Sequence, residues 1–274
     1  MAFHANRHNI WIETNRIDDT RVLDDRLPVE PDGSVDVAFA MESLGRSYLA
    51  VVVGASGGLG KAFVEHLRND PNCGHVAALS RNSEPPIDIT GEASVAGAAA
   101  WLRERSAEWD LILDATGVLT IEGHRPEKRL CEIDPVLMAR AFTVNAIGPA
   151  LLLKHLTPLL PRRRRAIFAS LSARVGSIED NRLGGWVSYR ASKAALNQIL
   201  RTAALELRLS HRQSVVVALQ PGTVATRLSA PYRSHAPDVL TPEYAARRLL
   251  EVLDGLAPEQ SGAFFDYEGQ RLPF

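Results

Sequence analysis

The stretch that decides the fold is Tyr48-Leu-Ala-Val-Val-Val-Gly-Ala-Ser-Gly-Gly-Leu-Gly60. Its first half is an apolar run typical of a buried strand, and a helical pattern follows it. The apolar residues of that pattern are Ala62, Phe63, Val64 and Leu67. Glycines at positions 54, 58 and 60 suit a tight strand-to-helix turn, because residues without a Cβ let a phosphate group approach the positive helix N-terminus. The spacing is not the commoner G-x-G-x-x-G fingerprint, so alone it fits a plain structural turn about equally well.

From Met41 onward, strand and helix patterns alternate, which indicates a parallel sheet covered on both faces. Strands are predicted near 48–53, 75–80, 86–89, 110–114, 166–171, 214–219 and 262–266. Helices are predicted near 58–69, 92–107, 135–160, 188–209 and 241–254. The sequence therefore predicts an α/β fold, a Rossmann-like doubly wound parallel sheet of about seven strands, in which ligands bind beyond the C-terminal strand ends.

The first 40 residues differ from the rest of the chain. They are rich in Asp, Arg and Asn, and they contain short candidate strands at Ile10–Glu13 and Ser34–Ala40. They fit a β-extension packed on the main domain, an oligomer arm or a tail, and we favour a small extension. We therefore expect an N-terminal extension over 1–40 and a single domain over 41–274.

Composition excludes several classes of function. The 31 basic and 32 acidic residues nearly balance, which argues against nucleic-acid or membrane-surface binding by bulk charge. Cys73 and Cys131 lack metal-ligand spacing, so we expect no metal site, and a reducing cytoplasm fits them best. No run of about 18 apolar residues occurs, so we expect no membrane span. The basic run Arg162–Arg165 falls in a predicted loop, where solvated charge is normal.

The end of the second predicted strand bears on the choice of nucleotide. An acidic residue there usually binds the ribose 2′-hydroxyl of NAD, whereas this chain has Ser80 followed by Arg81. A guanidinium can pair with a 2′-phosphate, and a neutral serine does not repel one. These two residues favour NADP(H) over NAD(H), the alternative being an ordinary surface arginine.

Two further segments end predicted strands. In Pro86-Ile-Asp-Ile-Thr90, Asp88 could lie beside an adenine ring, although a solvated loop aspartate explains it equally simply. Asp114-Ala-Thr-Gly117 is a small-residue turn that permits close approach of a cofactor to the backbone, or merely ends a strand.

Tyr189-Arg-Ala-Ser-Lys193 carries the sharpest catalytic signal. A four-residue offset places Tyr189 and Lys193 on one helix face. An ammonium group beside a phenol favours the phenolate, so we expect a lowered pKa for Tyr189, as proton transfer near neutral pH requires. An exposed Tyr/Lys pair on a helix is the simpler alternative.

Together these motifs resemble the short-chain dehydrogenases/reductases. The glycine turn, the Asp88 turn, Asp114–Gly117, Asn145, the Tyr189/Lys193 pair and Pro221-Gly-Thr-Val-Ala-Thr226 occur in that family's order, over roughly residues 47–270. The segments 172–178, 184–197 and 261–269 are similar to its bacterial C-factor-like branch.

The resemblance implies specific roles. Tyr189 would be the general acid or base, Lys193 would tune it and hold the nicotinamide ribose, and Asn145 would support a proton relay. A serine after the fifth predicted strand would orient the substrate carbonyl. The residues expected to bind the cofactor are Gly54, Ser56, Gly57, Gly58, Leu59, Gly60, Ser80, Arg81, Asp88, Ile89, Ala115, Thr116, Gly117, Asn145, Tyr189, Lys193, Pro221, Gly222, Thr223, Val224 and Thr226.

Three positions depart from the family pattern. Val53 replaces the usual threonine before the first glycine, and Asp114-Ala replaces the usual Asn-Asn, so only Asp114 can accept the same hydrogen bonds. Ala173 occupies the position, three residues before a glycine, where the family carries its serine. We select Ser172 as the catalytic serine and Ser177 as the weaker candidate. Loss of such a polar stabiliser costs roughly 10²–10³ in rate.

The leading hypothesis is an NADPH-dependent oxidoreductase that reduces a small carbonyl compound or oxidises the matching alcohol. Its substrate is expected between Tyr189 and the loop over 227–238. The alternative is an NADP-binding regulatory or signalling protein with little turnover. By resemblance we expect a homodimer or homotetramer in the cytoplasm, with no nucleic-acid or membrane partner.

Overall fold

The computed structural model describes residues 39–235 and 238–274. Its sheet has seven strands in the order β2-β1-β3-β4-β5-β6-β7, parallel throughout except that β7 runs antiparallel to β6. The strands are β1 (Tyr48–Val53), β2 (Cys73–Leu79), β3 (Leu111–Asp114), β4 (Ala166–Leu171), β5 (Ser214–Gln220), β6 (Phe264–Asp266) and β7 (Arg271–Leu272).

Helices cover both faces of this sheet. The α-helices are α1 (Gly58–Asn69), α2 (Glu92–Arg105), α3 (Pro135–Phe142), α4 (Gly148–Leu156), α5 (Val187–Leu207) and α6 (Pro242–Gly255). Buried residues of α1 and α6 share one core with the sheet, and those of α2, α4 and α5 share the other. The predicted doubly wound α/β fold is confirmed.

The central strands are apolar on both sides because they are sandwiched between two layers of helices. In β1, Ala50 and Val52 pack toward α1 and α6, while Val51 and Val53 pack toward the opposite layer. Alternate residues of a strand point to opposite faces, so the continuous apolar run in the sequence reflects burial on both faces.

One predicted strand was wrong. Residues 86–89 form no strand; Ile87 and Ile89 instead bury their side chains in the core under α2. A Cβ placed on Gly148 would lie 2.6 Å from Ile89 Cδ1, so this chain segment packs directly on the start of α4. The alternating apolar residues here thus reflect burial of the side chains, and the backbone does not pair with a neighbouring strand. The count of seven is made up by the short strand β7, which the sequence analysis did not predict.

The long helix predicted over 135–160 is divided. A π-helical turn at Thr143–Ile147 separates α3 from α4, and a 3₁₀ turn follows at Thr157–Leu159. Pro149 has no backbone N–H and cannot bond the carbonyl of Asn145 four residues earlier. The N–H of Gly148 bonds Thr143 O instead, which is a π-type pairing.

The composite stretch Pro135–Leu159 contains an 18-residue window with a mean hydropathy of 1.6, and it is long and apolar enough to cross a membrane by length and composition alone. It is the one such stretch among the described residues, and the sequence analysis did not foresee it. In the fold, Leu152 and Leu156 are fully buried and belong to the core shared with α2 and α5. Packing inside the protein buries 39% of its most apolar window, and Val136 and Ile147 of the stretch are exposed.

The predicted N-terminal extension lies almost entirely outside the described residues. The candidate strand Ile10–Glu13 is outside them, and Phe39 and Ala40, at the end of the candidate Ser34–Ala40, form no strand. Met41 is buried, and its N–H donates to Asp70 Oδ2 at 2.9 Å. The division into 1–40 and 41–274 stays a prediction.

We expect Gly60→Ala to destabilise the protein, because its Cβ would lie 2.1 Å from Gly54 O and the turn would have to open. Overpacking of this kind costs about 1–3 kcal/mol. The matched control is Gly97→Ala in the exposed interior of α2, where a Cβ meets nothing within 4 Å. It should raise the free energy of unfolding by about 0.5–1 kcal/mol. Denaturant unfolding measures both, and equal effects would contradict the steric argument.

Candidate active site

The carboxyl ends of β1, β3, β4 and β5 bring the predicted segments together. The glycine turn at 54–60 lies against the turn after β3, since a Cβ on Gly54 would lie 2.9 Å from Ala115 C. It also faces the segment after β5, since a Cβ on Gly58 would lie 2.7 Å from Thr226 Cγ2. Three stretches far apart in the sequence therefore line one cleft at the edge where such sheets bind ligands.

The first backbone N–H groups of α1 receive no side-chain cap. Gly57 is the N-cap of α1 and supplies no side-chain hydrogen bond, and the first turn contains no acidic residue. Ser56, Gly57 and Gly58 are exposed. Unpaired N–H groups at the positive end of a helix attract anions, so this turn suits a phosphate.

The predicted nucleotide-selecting residues lie after β2. Arg81 is exposed and has no hydrogen bond or ion pair with the described residues, whereas Ser80 Oγ accepts the N–H of Asn82 at 3.2 Å. Asp88 is exposed, and hydrogen bonds from the N–H and hydroxyl of Thr90 hold the pKa of its carboxyl below the usual range. Ile89, predicted to bind cofactor, has its side chain in the core.

Asp114 organises the turn after β3. Its buried carboxylate accepts the N–H and hydroxyl of Thr116 at 3.0 and 2.5 Å and the hydroxyl of Ser170 at 2.5 Å. The substitution of Asp for the usual Asn thus keeps the hydrogen bonds that hold the turn. Burial raises the pKa of Asp114, which the hydrogen bonds and the Lys193 charge oppose.

Lys193 is buried beside this turn. Its Nζ donates to Leu171 O at 2.8 Å, and a Cβ on Gly117 would lie 3.4 Å from that Nζ and 3.5 Å from Asn145 Oδ1. Burial lowers the pKa of Lys193 to about 8, against the attraction of Asp114. The ammonium group therefore faces the small turn at Gly117.

Asn145 holds the chain that follows this turn. Its Oδ1 accepts the N–H of Val118 at 2.8 Å, and its Nδ2 donates to Val118 O and Ser192 Oγ at 2.9 and 3.1 Å. The side chain is fully buried and completely used by protein partners. Any direct part of Asn145 in a proton relay would therefore fall to its backbone carbonyl, which Pro149 leaves without its helical partner.

Tyr189 lies in the first turn of α5, one helical turn before Lys193. Burial raises the pKa of its phenol, opposite to the lowering that the sequence predicted. The reason is that desolvation disfavours the phenolate, while the ammonium group of Lys193 donates to Leu171 O. Tyr189 therefore carries its proton at neutral pH.

The candidate serines have partners of their own. Ser172 Oγ donates to Asn197 Oδ1 at 2.6 Å, two helical turns beyond Tyr189 on the same face of α5. Ser177 Oγ accepts the N–H of Asp180 at 3.1 Å. Ala173, in the family's serine position, is half-buried and has no hydroxyl. The assignment of Ser172 stays a prediction, with Asn197 as a competing partner.

The segment after β5 is fixed by the chain that follows it. Thr223 O accepts the N–H of Leu240 at 2.8 Å, and Ser229 Oγ donates to Val224 O. Thr226 faces the glycine turn across the cleft. The predicted residues Pro221–Thr226 therefore form one wall of the cleft.

Glu127 is a residue that sequence reasoning missed. Its buried carboxylate accepts both the N–H and the hydroxyl of Ser188, and its carbonyl accepts the N–H of Trp186 at 2.5 Å. It thereby holds the first turn of α5, which carries Tyr189, and complements the helix dipole. No local pattern marks Glu127, since 61 residues separate it from Ser188.

The comparisons with known proteins agree with this geometry. Residues 63–252 match the family model described as enoyl-(acyl carrier protein) reductase. The chain is 40% identical over 146 residues to C-signal of Myxococcus xanthus, a match spanning 53% of this chain and 83% of that protein.

The chain belongs to the short-chain dehydrogenase/reductase family. It is an NAD(P)-dependent oxidoreductase by that membership. It is also 34% identical over 197 residues to 1-hydroxy-2-glutathionyl-2-methyl-3-butene dehydrogenase of Rhodococcus sp. strain AD45, covering 72% of this chain and 82% of the relative. The C-signal match confirms the likeness to the C-factor-like branch.

A solved structure agrees as well. NADPH-bound carbonyl reductase from chicken fatty liver superposes with a TM-score of 0.73 at 27% identity, covering 84% of this chain and all of that one. The cleft of this short-chain dehydrogenase/reductase fits a dinucleotide. It offers free N–H groups at α1, a cradle between Gly58 and Thr226 that a Cβ would fill, and a buried cation at Gly117.

A cavity of about 130 Å³ opens beside Tyr189. Val118, Leu119 and Ala141 supply apolar walls, and Glu127 supplies a carboxylate. Tyr189 thus has a space next to it on the side of the chain that follows β3. Among the described residues, no cluster of three or more His, Cys, Asp or Glu could hold a metal.

We expect cofactor affinity to depend on the charge of Lys193. With a pKa lowered to about 8, its side chain is an ammonium group at pH 7 and largely a neutral amine at pH 9. Because the charged fraction of Lys193 falls about tenfold over that range, the Kd for NADPH should rise by about three- to tenfold. Fluorescence titration measures this. Lys193→Met should flatten the dependence, and the exposed Lys154→Met should keep it; the same slope in all three proteins would contradict the assignment.

Proposed function

We propose that the protein is an NADPH-dependent reductase of carbonyl compounds, able to run in reverse on the matching alcohols. The observation that carries the proposal is the arrangement of Tyr189 and Lys193 on one face of α5, with Lys193 at the Gly117 turn. A half-buried, protonated phenol and a buried cation at the cleft suit donation of a proton to a carbonyl oxygen.

Each residue would have one task in this reaction. When bound, the nicotinamide supplies the hydride. Tyr189 would protonate the carbonyl oxygen, and Lys193 would hold the ribose and favour the phenolate that results. Asn145 would keep the chain after β3 in place through its bonds to Val118.

Preference for NADPH over NADH is part of the proposal. Arg81 is exposed and makes no hydrogen bond or ion pair with the described residues, although its charge acts on Asp88, so its guanidinium is available to a 2′-phosphate. The chicken relative was solved with NADPH bound, which supports the same preference. Ser56 and the backbone at Gly57–Leu59 would contact the pyrophosphate, and Asp88 the adenine.

The first test is Tyr189→Phe. We expect NADPH oxidation with aldehydes, ketones, diketones and quinones to fall at least about 10²-fold, because the general acid is removed. NADPH should still bind with an unchanged Kd. Turnover at the wild-type rate in this variant would overturn the assignment of Tyr189.

A second test concerns the missing serine. Because the Ser172 hydroxyl is held by Asn197 at 2.6 Å, we expect Ser172→Ala to lower kcat/KM less than about tenfold. Ala173→Ser should raise kcat, because the new hydroxyl would occupy the position where the family carries its serine. A loss of about 10²–10³ in Ser172→Ala would establish Ser172 as the group that orients the carbonyl.

The alternative is an NADP-binding signalling protein with little turnover. The similarity to C-signal and the alanine at 173 favour it. The buried Lys193, with acceptors built around it, favours the enzyme. Wild-type protein that binds NADPH yet oxidises none with any carbonyl of the panel would select the signalling alternative.

The remaining expectations are also proposals. We propose a cytoplasmic homodimer or homotetramer with an N-terminal extension over 1–40. We propose no nucleic-acid partner, since half of the basic run is engaged. Arg164 pairs with Asp110 at 2.7 Å and with Glu108, and Arg165 donates to Leu253 O at 3.0 Å.

A further inference from the structure

An aromatic cluster surrounds the proposed general acid. Trp186 lies three residues before Tyr189, and their ring centroids are 6.2 Å apart in an edge-to-face arrangement. The ring of Tyr232, from the short helix at 230–235, meets Trp186 edge-to-face at 5.2 Å. We call Trp186 and Tyr232 the aromatic wall.

The wall is held in place by defined bonds. Trp186 has a left-handed backbone (φ 53°), an uncommon conformation for a bulky residue, and its N–H donates to Glu127 O at 2.5 Å. Backbone strain of this kind persists where the surroundings over-determine it, and such positions cluster at functional sites. The conformation of Trp186 therefore points to a role for its ring beside Tyr189.

Tyr232 is tied to the opposite side of the cleft. Its hydroxyl and Thr120 Oγ1 are 3.0 Å apart and share a hydrogen bond. Arg233, next in the chain, donates to Thr226 O at 3.3 Å. The helix at 230–235 thus bridges the chain after β3 and the chain after β5, with its tyrosine ring over Trp186.

The Trp186 ring lies next to the Tyr189 ring, 6.2 Å away between centroids, so a group attached to a carbonyl that Tyr189 protonates is within reach of the aromatic wall. Position 173 has no hydroxyl, and the Ser172 hydroxyl donates to Asn197, so the serine that orients the carbonyl elsewhere in the family is not available at its usual position. Contact with the Trp186 ring offers a second means of orienting the substrate. Aromatic rings prefer edge-to-face or offset contacts with other flat rings over puckered groups.

We propose that the aromatic wall selects carbonyl compounds with a flat aromatic or conjugated group attached directly to the carbonyl carbon. The inference rests on the proposed reductase activity and names the substrate class of the same site. Trp186 and Tyr232 are its specificity-determining residues.

The test compares two aldehydes of equal carbon number, benzaldehyde and cyclohexanecarboxaldehyde, with NADPH and the full-length protein. The measured quantity is the ratio of their kcat/KM values, taken relative to wild type, which cancels their intrinsic reactivities. We expect Trp186→Leu and Tyr232→Leu each to lower this ratio about three- to tenfold, the contribution of one aromatic contact. Tyr232→Phe, which keeps the ring and loses the bond to Thr120, should leave the ratio within about twofold.

An unchanged ratio in Tyr232→Leu overturns the inference, as does an equal fall in Tyr232→Phe, since the bond and not the ring would then matter. NADPH binding checks that each variant is folded, and Tyr232→Leu decides alone if Trp186→Leu fails this check. Wild-type turnover of neither aldehyde, nor of any other carbonyl, overturns the proposed function together with the inference. Turnover with unchanged ratios overturns only the inference.

Discussion

The burial of the Lys193 ammonium group is the constraint on which the rest of the site depends. A cation that is 3% exposed is costly unless acceptors and a counter-charge are built around it. Leu171 O at the end of β4 accepts a hydrogen bond from the ammonium group, and Asp114 at the end of β3 supplies negative charge nearby. The ends of two neighbouring strands and the face of α5 must therefore meet at fixed positions, and Tyr189 is set by the same helix.

The burial of Lys193 also explains neighbouring residues that take no part in the proposed reaction. A Cβ on Gly176 would lie 2.8 Å from Lys193 Cβ, so the turn after β4 can pack on α5 only with glycine there. Ser170 donates to Asp114 from β4, directly across from it in the ladder, which stabilises the carboxylate against burial. These residues at the strand ends therefore support the buried charge of Lys193.

The features that depend on the periodicity of apolar and polar residues could be predicted from the sequence. Apolar runs gave the parallel sheet, and the four-residue offset put Tyr189 and Lys193 on one face, because both follow from fixed periodicities. It failed where a local pattern has two structural readings, as at 86–89, where two buried isoleucines line the core without strand pairing. The π turn at Thr143–Ile147 was accessible in principle, since Pro149 removes a helical donor.

The rest could not be read from the sequence because it depends on distant partners. Nothing local indicates that Glu127 holds the start of α5, that Asn197 bonds Ser172, or that burial raises the pKa of Tyr189. Each is a consequence of packing between elements that lie far apart in the sequence. Pair contacts of this kind require the fold itself.

A reductase can orient a carbonyl by a single strong donor or by the shape of the surface behind it. A preorganised donor acts on the oxygen whatever group is attached, so it tolerates many substrates. Shape acts on the attached group, so it discriminates among them and contributes less to the rate. With alanine at 173, this chain lacks the usual hydroxyl donor to the carbonyl oxygen. The Trp186 ring beside Tyr189 provides a shaped surface instead. If the proposed reductase activity is correct, we expect that combination to favour a narrow range of substrates.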